Sequence, residues 1–421
     1  MGMTVTEKIL AGHAGKESLK PGEIIEAAVD LVMGNDAMAP LSIKELERFD
    51  IQTVFDRKRI CMILDHWTPN RDIKSAEACK MIREFVNTHH IENYYEVGRG
   101  GIEHVLLPEQ GLVAPGEIIV GGDSHTCTYG ALGAFSTGMG STDIAAAMAL
   151  GKVWLRVPET IKCIFHGTIH RYVTGKDLIL WLIGRYGVDG AQYKALEFVG
   201  ETISALSMDD RFTICNMAVE AGAKNGIMPP DQKTLEYMKG RVNRDFKCFE
   251  SDDDAAFDKI WDFDVSELSP LVAKPYSPAN VSSVKDLGFT KVDQVLIGSC
   301  TNGRMEDLRR ACEILAGKKI SSSVRLIVIP ATQGIYRQAM REGILEKLLD
   351  AGAAISTPTC GPCGGGHMGV LADGEVCVST TNRNFRGRMG GVNSKVYLSS
   401  PYVAAASAIA GYICDPKEVG A

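Results

Sequence analysis

Short apolar runs that end in glycine and then in polar or sulfur-bearing residues recur along this chain. They constrain its fold more than any other feature. Residues 292–298 (VDQVLIG) lead into Ser299-Cys300-Thr301-Asn302-Gly303-Arg304. The pattern predicts a helix over 306–316, a strand over 324–329, a helix over about 336–349 and a short strand over 353–356 that ends at Thr359-Cys360. This is a compact βαβαβ unit with cysteines at strand ends, where ligands gather in open α/β sheets. The cysteine-bearing strands are expected to be neighbours. Residues 116–120 (GEIIV) form another strand, ending in Gly121-Gly122-Asp123-Ser124-His125-Thr126, with an Ala-rich helix over 142–150 downstream. The order recurs near the C-terminus as a strand (376–380, VCVST), a polar loop (382–388, NRNFRGR) and an Ala-rich helix over 402–410. The likeness of DIAAAMALG to YVAAASAIAG points to an internal duplication.

Strands alternating with helices place the chain in the α/β class. At roughly 150 residues per domain, 421 residues predict three domains. Pattern changes set them at 1–158, 159–284 and 285–421. Lys and Arg number 45 against 52 Asp and Glu, a net charge of −7, and no basic block is present. Phosphate binding needs clustered cations, so a nucleic-acid partner is not expected. No apolar stretch approaches a membrane span, and the first ten residues hold no signal-peptide core. Met1-Gly2 with Thr6 fits the loose myristoylation pattern, but no polybasic second anchor follows. The acidic run 251–254 (SDDD) is a solvated loop. Twelve scattered cysteines without an export signal predict a reducing, cytoplasmic setting rather than a disulfide framework.

Most of these cysteines are small buried hydrophobes. Cys360 and Cys363 differ. They form a C-x-x-C pair followed by three glycines, which let backbone N–H groups approach a bound centre. Cys300 sits at a helix N-terminus, where a thiolate is favoured. Spacing alone leaves three readings open: a redox dithiol at Cys360 and Cys363, a closed zinc site completed by Cys300 and His367, or an iron–sulfur cluster on three cysteines. Four thiolates usually hold a [4Fe–4S] cluster, so three would leave one iron open. An electron carrier would call on a fourth cysteine, with Cys377 nearest downstream. Acid–imidazole candidates surround these motifs: Asp65-His66 after the run 60–64, Asp123 with His125, His104, and Glu220 near Asn216. Imidazoles paired with carboxylates stay protonated near neutrality and serve as general acids. Asn302, Arg304, Asn382, Arg383 and Arg388 are candidates for binding carboxylates or sulfurs. His13, His89, His90, His166 and His170 are read as structural or surface residues.

GSCTNGR (298–304), TCGPCGGG (359–366), GGDSHT (121–126), CNMAVE (215–220) and NRNFRGR (382–388) together resemble the aconitase superfamily. Five motifs in the same order make the resemblance specific. LLPEQGLVAPGE (106–117) is similar to its two-subunit group of 3-isopropylmalate dehydratases and homoaconitases. The resemblance implies three α/β/α domains with a cluster and active site at their interface. It implies that Cys300, Cys360 and Cys363 ligate a [4Fe–4S] cluster with one open iron. The pairs Asp65 with His66, Asp123 with His104, and Glu220 with His125 would do acid–base work. Asn216, Asn302 and Asn382 would hydrogen-bond around the cluster, and Ser124, Arg383 and Arg388 would contact substrate carboxylates. Aconitases carry a further C-terminal swivelling domain with the serine base, whereas this chain stops at Ala421. The resemblance therefore implies a separate small subunit, in a heterodimer or heterotetramer. Aconitase also has an N-terminal glutamine that touches substrate, where this chain reads Ala39-Pro40-Leu41 without an amide. The implied reaction is dehydration and rehydration of a 2-hydroxy-dicarboxylate, with the open iron as Lewis acid and His66 protonating the departing hydroxyl. The expected substrate is 3-isopropylmalate, in leucine biosynthesis. The alternatives are homoaconitate or a methyl-substituted malate, and, from another class, a zinc-stabilised scaffold.

Overall fold

The computed structural model describes residues 2–420; Met1 and Ala421, which bound the terminal sequence readings, lie outside them. Three sheets rich in parallel strands form the frame. The first has five strands, in the spatial order Asn93–Tyr95, Ile60–Ile63, Leu31–Asn35, Ile118–Gly121 and Phe135–Gly138, all parallel. The second has four parallel strands: Asn225–Ile227, Ala195–Val199, Thr160–His166 and Lys259–Asp264. The third has seven: Val281–Ser283, Leu271–Ala273, Lys395–Ser399, Val376–Ser379, Gln294–Ile297, Arg325–Val328 and Ala354–Ile355. Its first two strands are antiparallel additions to a parallel body. The central strands are buried on both faces, as parallel sheets require, and read as continuous apolar runs such as Ile60-Cys61-Met62-Ile63.

Three local findings differ from the sequence reading. The strands before Cys300 and Cys360 are not neighbours. Arg325–Val328 lies between them, because each crossover helix advances the sheet by one strand. The helix expected over 336–349 is two helices, Gln333–Arg341 and Ile344–Ala351, broken at Gly343 with φ +68°. Each polar loop of the duplicated pattern is followed by a strand before the Ala-rich helix. These strands are Phe135–Gly138 and Lys395–Ser399, each parallel to the strand that feeds the loop. The repeated unit is thus strand, polar loop, parallel strand, Ala-rich helix, the last being Ser141–Leu150 and Pro401–Ala410. Small side chains let the second of these helices lie close on the third sheet. Val403, Ala404, Ala405, Ala406 and Ala408 are fully buried.

Candidate active site

The strand Gln294–Ile297 ends at Gly298, where φ is +152° and a Cβ would stand 2.8 Å from the carbonyl oxygen of Ile329. Only glycine lets the chain turn there. Ser299 follows with φ +75°, a conformation that surrounding contacts must hold in place. The short helix Ser299–Asn302 then presents Cys300 inward. The C-x-x-C loop arrives from the far strand. It is tied to the Asp65-His66 turn by Cys360 N donating to the Asp65 carbonyl at 2.8 Å and Thr359 Oγ1 donating to the same oxygen at 3.0 Å. Gly366 lies against Trp67 so closely that a Cβ would sit 1.9 Å from the indole ring.

The carboxylates and imidazoles come from strand ends of the first sheet and from the second region. Asp36, just past Leu31–Asn35, accepts the backbone N–H groups of Asp65 and His66 at 2.8 Å and that of Trp67 at 2.6 Å. That fixes the turn. Asp65 Oδ1 is 2.7 Å from His66 Nδ1, and its Oδ2 accepts the Glu103 N–H at 2.8 Å. Asp123 Oδ1 lies 2.9 Å from His104 Nε2 and 3.3 Å from His125 Nδ1, and Glu220 Oε1 lies 2.8 Å from His125 Nε2. Arg383 Nε donates to that same Glu220 oxygen at 2.7 Å. His66 Nε2 stands 3.8 Å from Asp123 Oδ2, so the three imidazoles form one connected chain.

Burial pushes on every member of this chain, and partners decide the outcome. Burial would lower the His66 imidazole, but the adjacent Asp65 carboxylate more than offsets it and holds His66 well above the ordinary value. His104 is lowered because burial outweighs its bond to Asp123. His125 is raised: burial and the Arg383 charge act downward, and its bonds to Asp123 and Glu220 overcome them. Burial raises Asp123, yet hydrogen bonds from His104 and His125 carry its carboxylate well below its usual range.

These groups surround a small, partly open pocket, lined among others by His66, His104, Asp123 and His125 on one side. Cys300, Cys360, Cys363, Asn382 and Arg388 line the other. Asp65, Asn216 and Glu220 stand behind this lining, each bonded to one of its members, and Arg383 is bonded to Glu220. Two expected residues are placed otherwise. Ser124 opens onto an adjoining cavity of about 830 Å³ with Gly122, Thr137 and Gly138. The Asn302 amide is directed to Asp307 at 2.9 Å and Thr213 at 3.3 Å.

A model of the aconitase family (aconitate hydratase) matches residues 7–411. This chain belongs to the aconitase family. It is 58% identical over 419 residues to a 3-isopropylmalate dehydratase large subunit of Moorella thermoacetica, covering all of both chains. It is 57% identical over 420 residues to the protein of that name in Thermodesulfovibrio yellowstonii, and 58% identical over 419 residues to that in Clostridium beijerinckii, again over all of both chains. The crystal structure of Thermococcus kodakaraensis aconitase X in its holo form shares the fold, with a TM-score of 0.50 at 14% identity and 93% of each chain covered.

An aconitase-family chain implies an iron–sulfur cluster, and the three sulfurs fit one. Asn216 Nδ2 and Asn382 Nδ2 donate to Cys300 Sγ at 3.3 and 3.4 Å, and Arg388 Nη2 stands 4.0 Å from Cys363 Sγ. The Cys360 thiol donating to it, followed by Arg388, holds Cys363 well below the usual thiol value. Among the described residues, the ligand sets within 4.8 Å of one another, such as His66, Glu103 and Asp123, do not include the three cysteines. At least one pair of the three sulfurs therefore lies more than 4.8 Å apart, although Cys360 and Cys363 are within hydrogen-bond reach of each other. His367 Nε2 lies 3.0 Å from the His66 carbonyl and 3.2 Å from Thr359 Oγ1, so this nitrogen already has partners.

Sequence reasoning missed several groups that build this aconitase-family site. Asp36, Asn35 and Glu103 lie in or beside apolar segments where single polar residues carried no motif. Lys176 is fully buried and donates to the carbonyls of Thr380 and Thr381 at 2.8 and 2.6 Å and to Asn302 Oδ1 at 3.3 Å. Burial pulls its amine down to about 7. The available signal was a Lys-Asp pair inside the apolar helix Gly175–Tyr186.

Proposed function

We propose that the chain is the cluster-bearing large subunit of a 3-isopropylmalate dehydratase, a hydro-lyase that eliminates and re-adds water on a 2-hydroxy-dicarboxylate. The observation that carries this reading is the shared cavity, which sets three thiols opposite His66 and Asp123, in a chain 58% identical end to end to large subunits of that name. Cys300, Cys360 and Cys363 would hold a [4Fe–4S] cluster. When bound, the cluster supplies a Lewis-acidic iron that polarises a coordinated hydroxyl.

The chain's own residues supply the rest. His66 carries a proton that Asp65 stabilises, and Nε2 faces the cavity as general acid for the departing hydroxyl. Asp123 receives both His104 and His125, which keeps its charge compensated and fixes the two rings. Arg388 offers a cation for a substrate carboxylate, and Arg383, bonded to Glu220, stands behind it. Asn216 and Asn382 hydrogen-bond to Cys300 Sγ and restrain it. A small subunit with a swivelling domain is the expected source of the serine base, in a heteromeric enzyme of the cytoplasm. The twelve cysteines are all unpaired, as a reducing compartment allows, and among the described residues no helix is long and apolar enough to cross a membrane.

The test is anaerobic iron and sulfide analysis of wild type and Cys363→Ser, then turnover with candidate small subunits on a panel of substituted malates. The expected result is about four irons per wild-type chain, their loss in Cys363→Ser, and turnover of 3-isopropylmalate above its homologues. A fully loaded, active Cys363→Ser would refute the ligation. Preference for homoaconitate or a methyl-malate would refute the substrate.

A further inference from the structure

Glu103 belongs to none of the three carboxylate–imidazole pairs, yet it lines the same cavity and is fully buried. Its Oε1 accepts from Asn35 Nδ2 at 2.8 Å and stands 3.4 Å from His104 Nε2. Its Oε2 is buried and has no hydrogen-bond partner among the described residues. A carboxylate oxygen of Glu103, an imidazole nitrogen of His66 and an oxygen of Asp123 lie within 4.8 Å of one another. Asn35 is itself fixed: its Oδ1 accepts the N–H groups of Ala37 at 3.0 Å and Met38 at 2.9 Å, so its amide N–H is directed at Glu103. Oε1 is thereby an acceptor, and a proton on this group belongs on Oε2.

We propose that Glu103 is the reserve proton donor of the site, recharging His66 through Oε2 after His66 has protonated the leaving hydroxyl. The proposal rests on His66 being the acid of the reaction. Once His66 has given up its Nε2 proton, a neutral imidazole remains beside the Asp65 carboxylate. The Oε2–H bond of Glu103 then breaks and the Nε2–H bond of His66 re-forms, the proton crossing the gap of up to 4.8 Å through one water, which leaves a Glu103 carboxylate and an imidazolium. When water adds back, its proton returns through His66 to Glu103, and the cycle closes with no external acid.

The surroundings keep Glu103 neutral before that step. Burial first, and then the charges of Asp65 and Asp123, hold its carboxyl well above the usual range, against the opposing charge of His66 and the Asn35 bond. The other titratable groups facing it are His104 on its own helix, Cys61 in the strand Ile60–Ile63 and Tyr129, whose hydroxyl lies 3.4 Å from the Glu103 carbonyl. Glu103 acts through His66, so it is a positioning and relay residue rather than one that touches substrate.

Glu103→Gln tests this in the cluster-loaded complex with its small subunit. The amide keeps the size, the acceptor for Asn35 and a hydrogen-bond donor, but it has no transferable proton. The infrared spectrum of the wild-type chain at neutral pH should show the carbonyl stretch of a protonated carboxylic acid. Burial raises the carboxyls of Asp307 and Glu109 to about 7, so they contribute to that band too; the Glu103 component should be lost in the difference spectrum against Glu103→Gln and shift in Glu103→Asp. At unchanged iron content, kcat should fall about 100-fold in Glu103→Gln with KM little altered, and Glu103→Asp should recover part of it. Absence of a Glu103 component in the difference spectrum, or wild-type kcat in Glu103→Gln, overturns the relay. If Glu103→Gln does not fold, the band and its shift in Glu103→Asp decide alone. His66→Ala separates the two failures. Full activity in His66→Ala refutes the site reading itself. An inactive His66→Ala beside a normal Glu103→Gln refutes only the relay.

Discussion

Replacing Asp65 by Asn removes one charge and leaves the volume of the site unchanged. The carboxylate is fully buried and holds the His66 N–H at 2.7 Å and the Glu103 N–H at 2.8 Å. Two unit charges 2.7 Å apart attract by about 6 kcal/mol at an effective dielectric constant of about 20. Burial of both partners cancels part of this, and removing one side of such a pair costs about 3–5 kcal/mol. An Asn can accept from only one of the two N–H groups and turns its own amide toward the other. In the wild type, the raised His66 value contributes stability that is fully present below the unfolded histidine value and is lost as pH rises through the folded one. In Asp65→Asn the largest upward influence is gone and burial is opposed only by the charges of Glu103 and Asp36, so His66 falls and the variant is penalised most below about pH 6.5. Urea unfolding at two pH values should show the deficit widening on the acid side. In kinetics, the wild-type kcat should stay level through neutrality, whereas Asp65→Asn should decline from below neutrality upward and lose about 100-fold at pH 7. A variant with wild-type kcat and pH profile, its cluster intact, would refute the assignment of the acid.

Gly366→Ala places a Cβ where the Trp67 ring now stands. Because Trp67 is the next residue after His66, and Arg71, over its ring, also donates to the Gly366 carbonyl at 2.7 Å, the acid must move with it. Loss of kcat at near-normal iron content is expected, and an unchanged kcat would show that the indole yields without disturbing His66. Arg304→Met removes a buried guanidinium that donates to the carbonyls of Cys300 at 2.8 Å, Thr301 at 3.2 Å and His104 at 3.3 Å. With each orphaned acceptor costing about 1–3 kcal/mol, a clear drop in the thermal midpoint should appear by calorimetry, before any effect on substrate affinity.

The sequence made the polar ends of strands readable because glycine and polar residues interrupt apolar runs there, as at Gly121-Gly122-Asp123 and Gly298-Ser299-Cys300. It did not reveal the strand Phe135–Gly138, whose segment FSTG has no apolar run and takes its extended form from pairing with Ile118–Gly121. Spatial strand order is a tertiary property, so the strand between the two cysteine-bearing strands went unread. The pairing of His66 with Asp65 was visible as adjacency. The orientation of that pair by Asp36, the link of Asn35 to Glu103 and the hold of Lys176 on Thr380 and Thr381 join residues 29, 68 and about 205 positions apart. No local pattern encodes such contacts.

The loop after Ile118–Gly121 places alternate residues on opposite sides. Asp123 and His125 line the cavity shared with the cysteines, while Gly122 and Ser124 line the neighbouring one. A substrate centred between the sulfurs and His66 can reach Ser124 only with an end of the molecule that extends past this loop. With the reacting carbon on the Asp123 side, as proposed, Ser124 would contact a part of the substrate whose charge does not change along the reaction. Binding that is equal in ground and transition states alters KM and leaves kcat alone. Ser124→Ala should therefore raise KM by about 10-fold, the equivalent of one hydrogen bond of about 1.4 kcal/mol, with kcat within a factor of about two. Asp123→Asn should do the reverse, because it removes the anion that receives His104 and His125 at the reacting end. A Ser124→Ala variant whose kcat falls while KM holds would mean that the loop turns over during the cycle and that the serine reaches the reacting carbon.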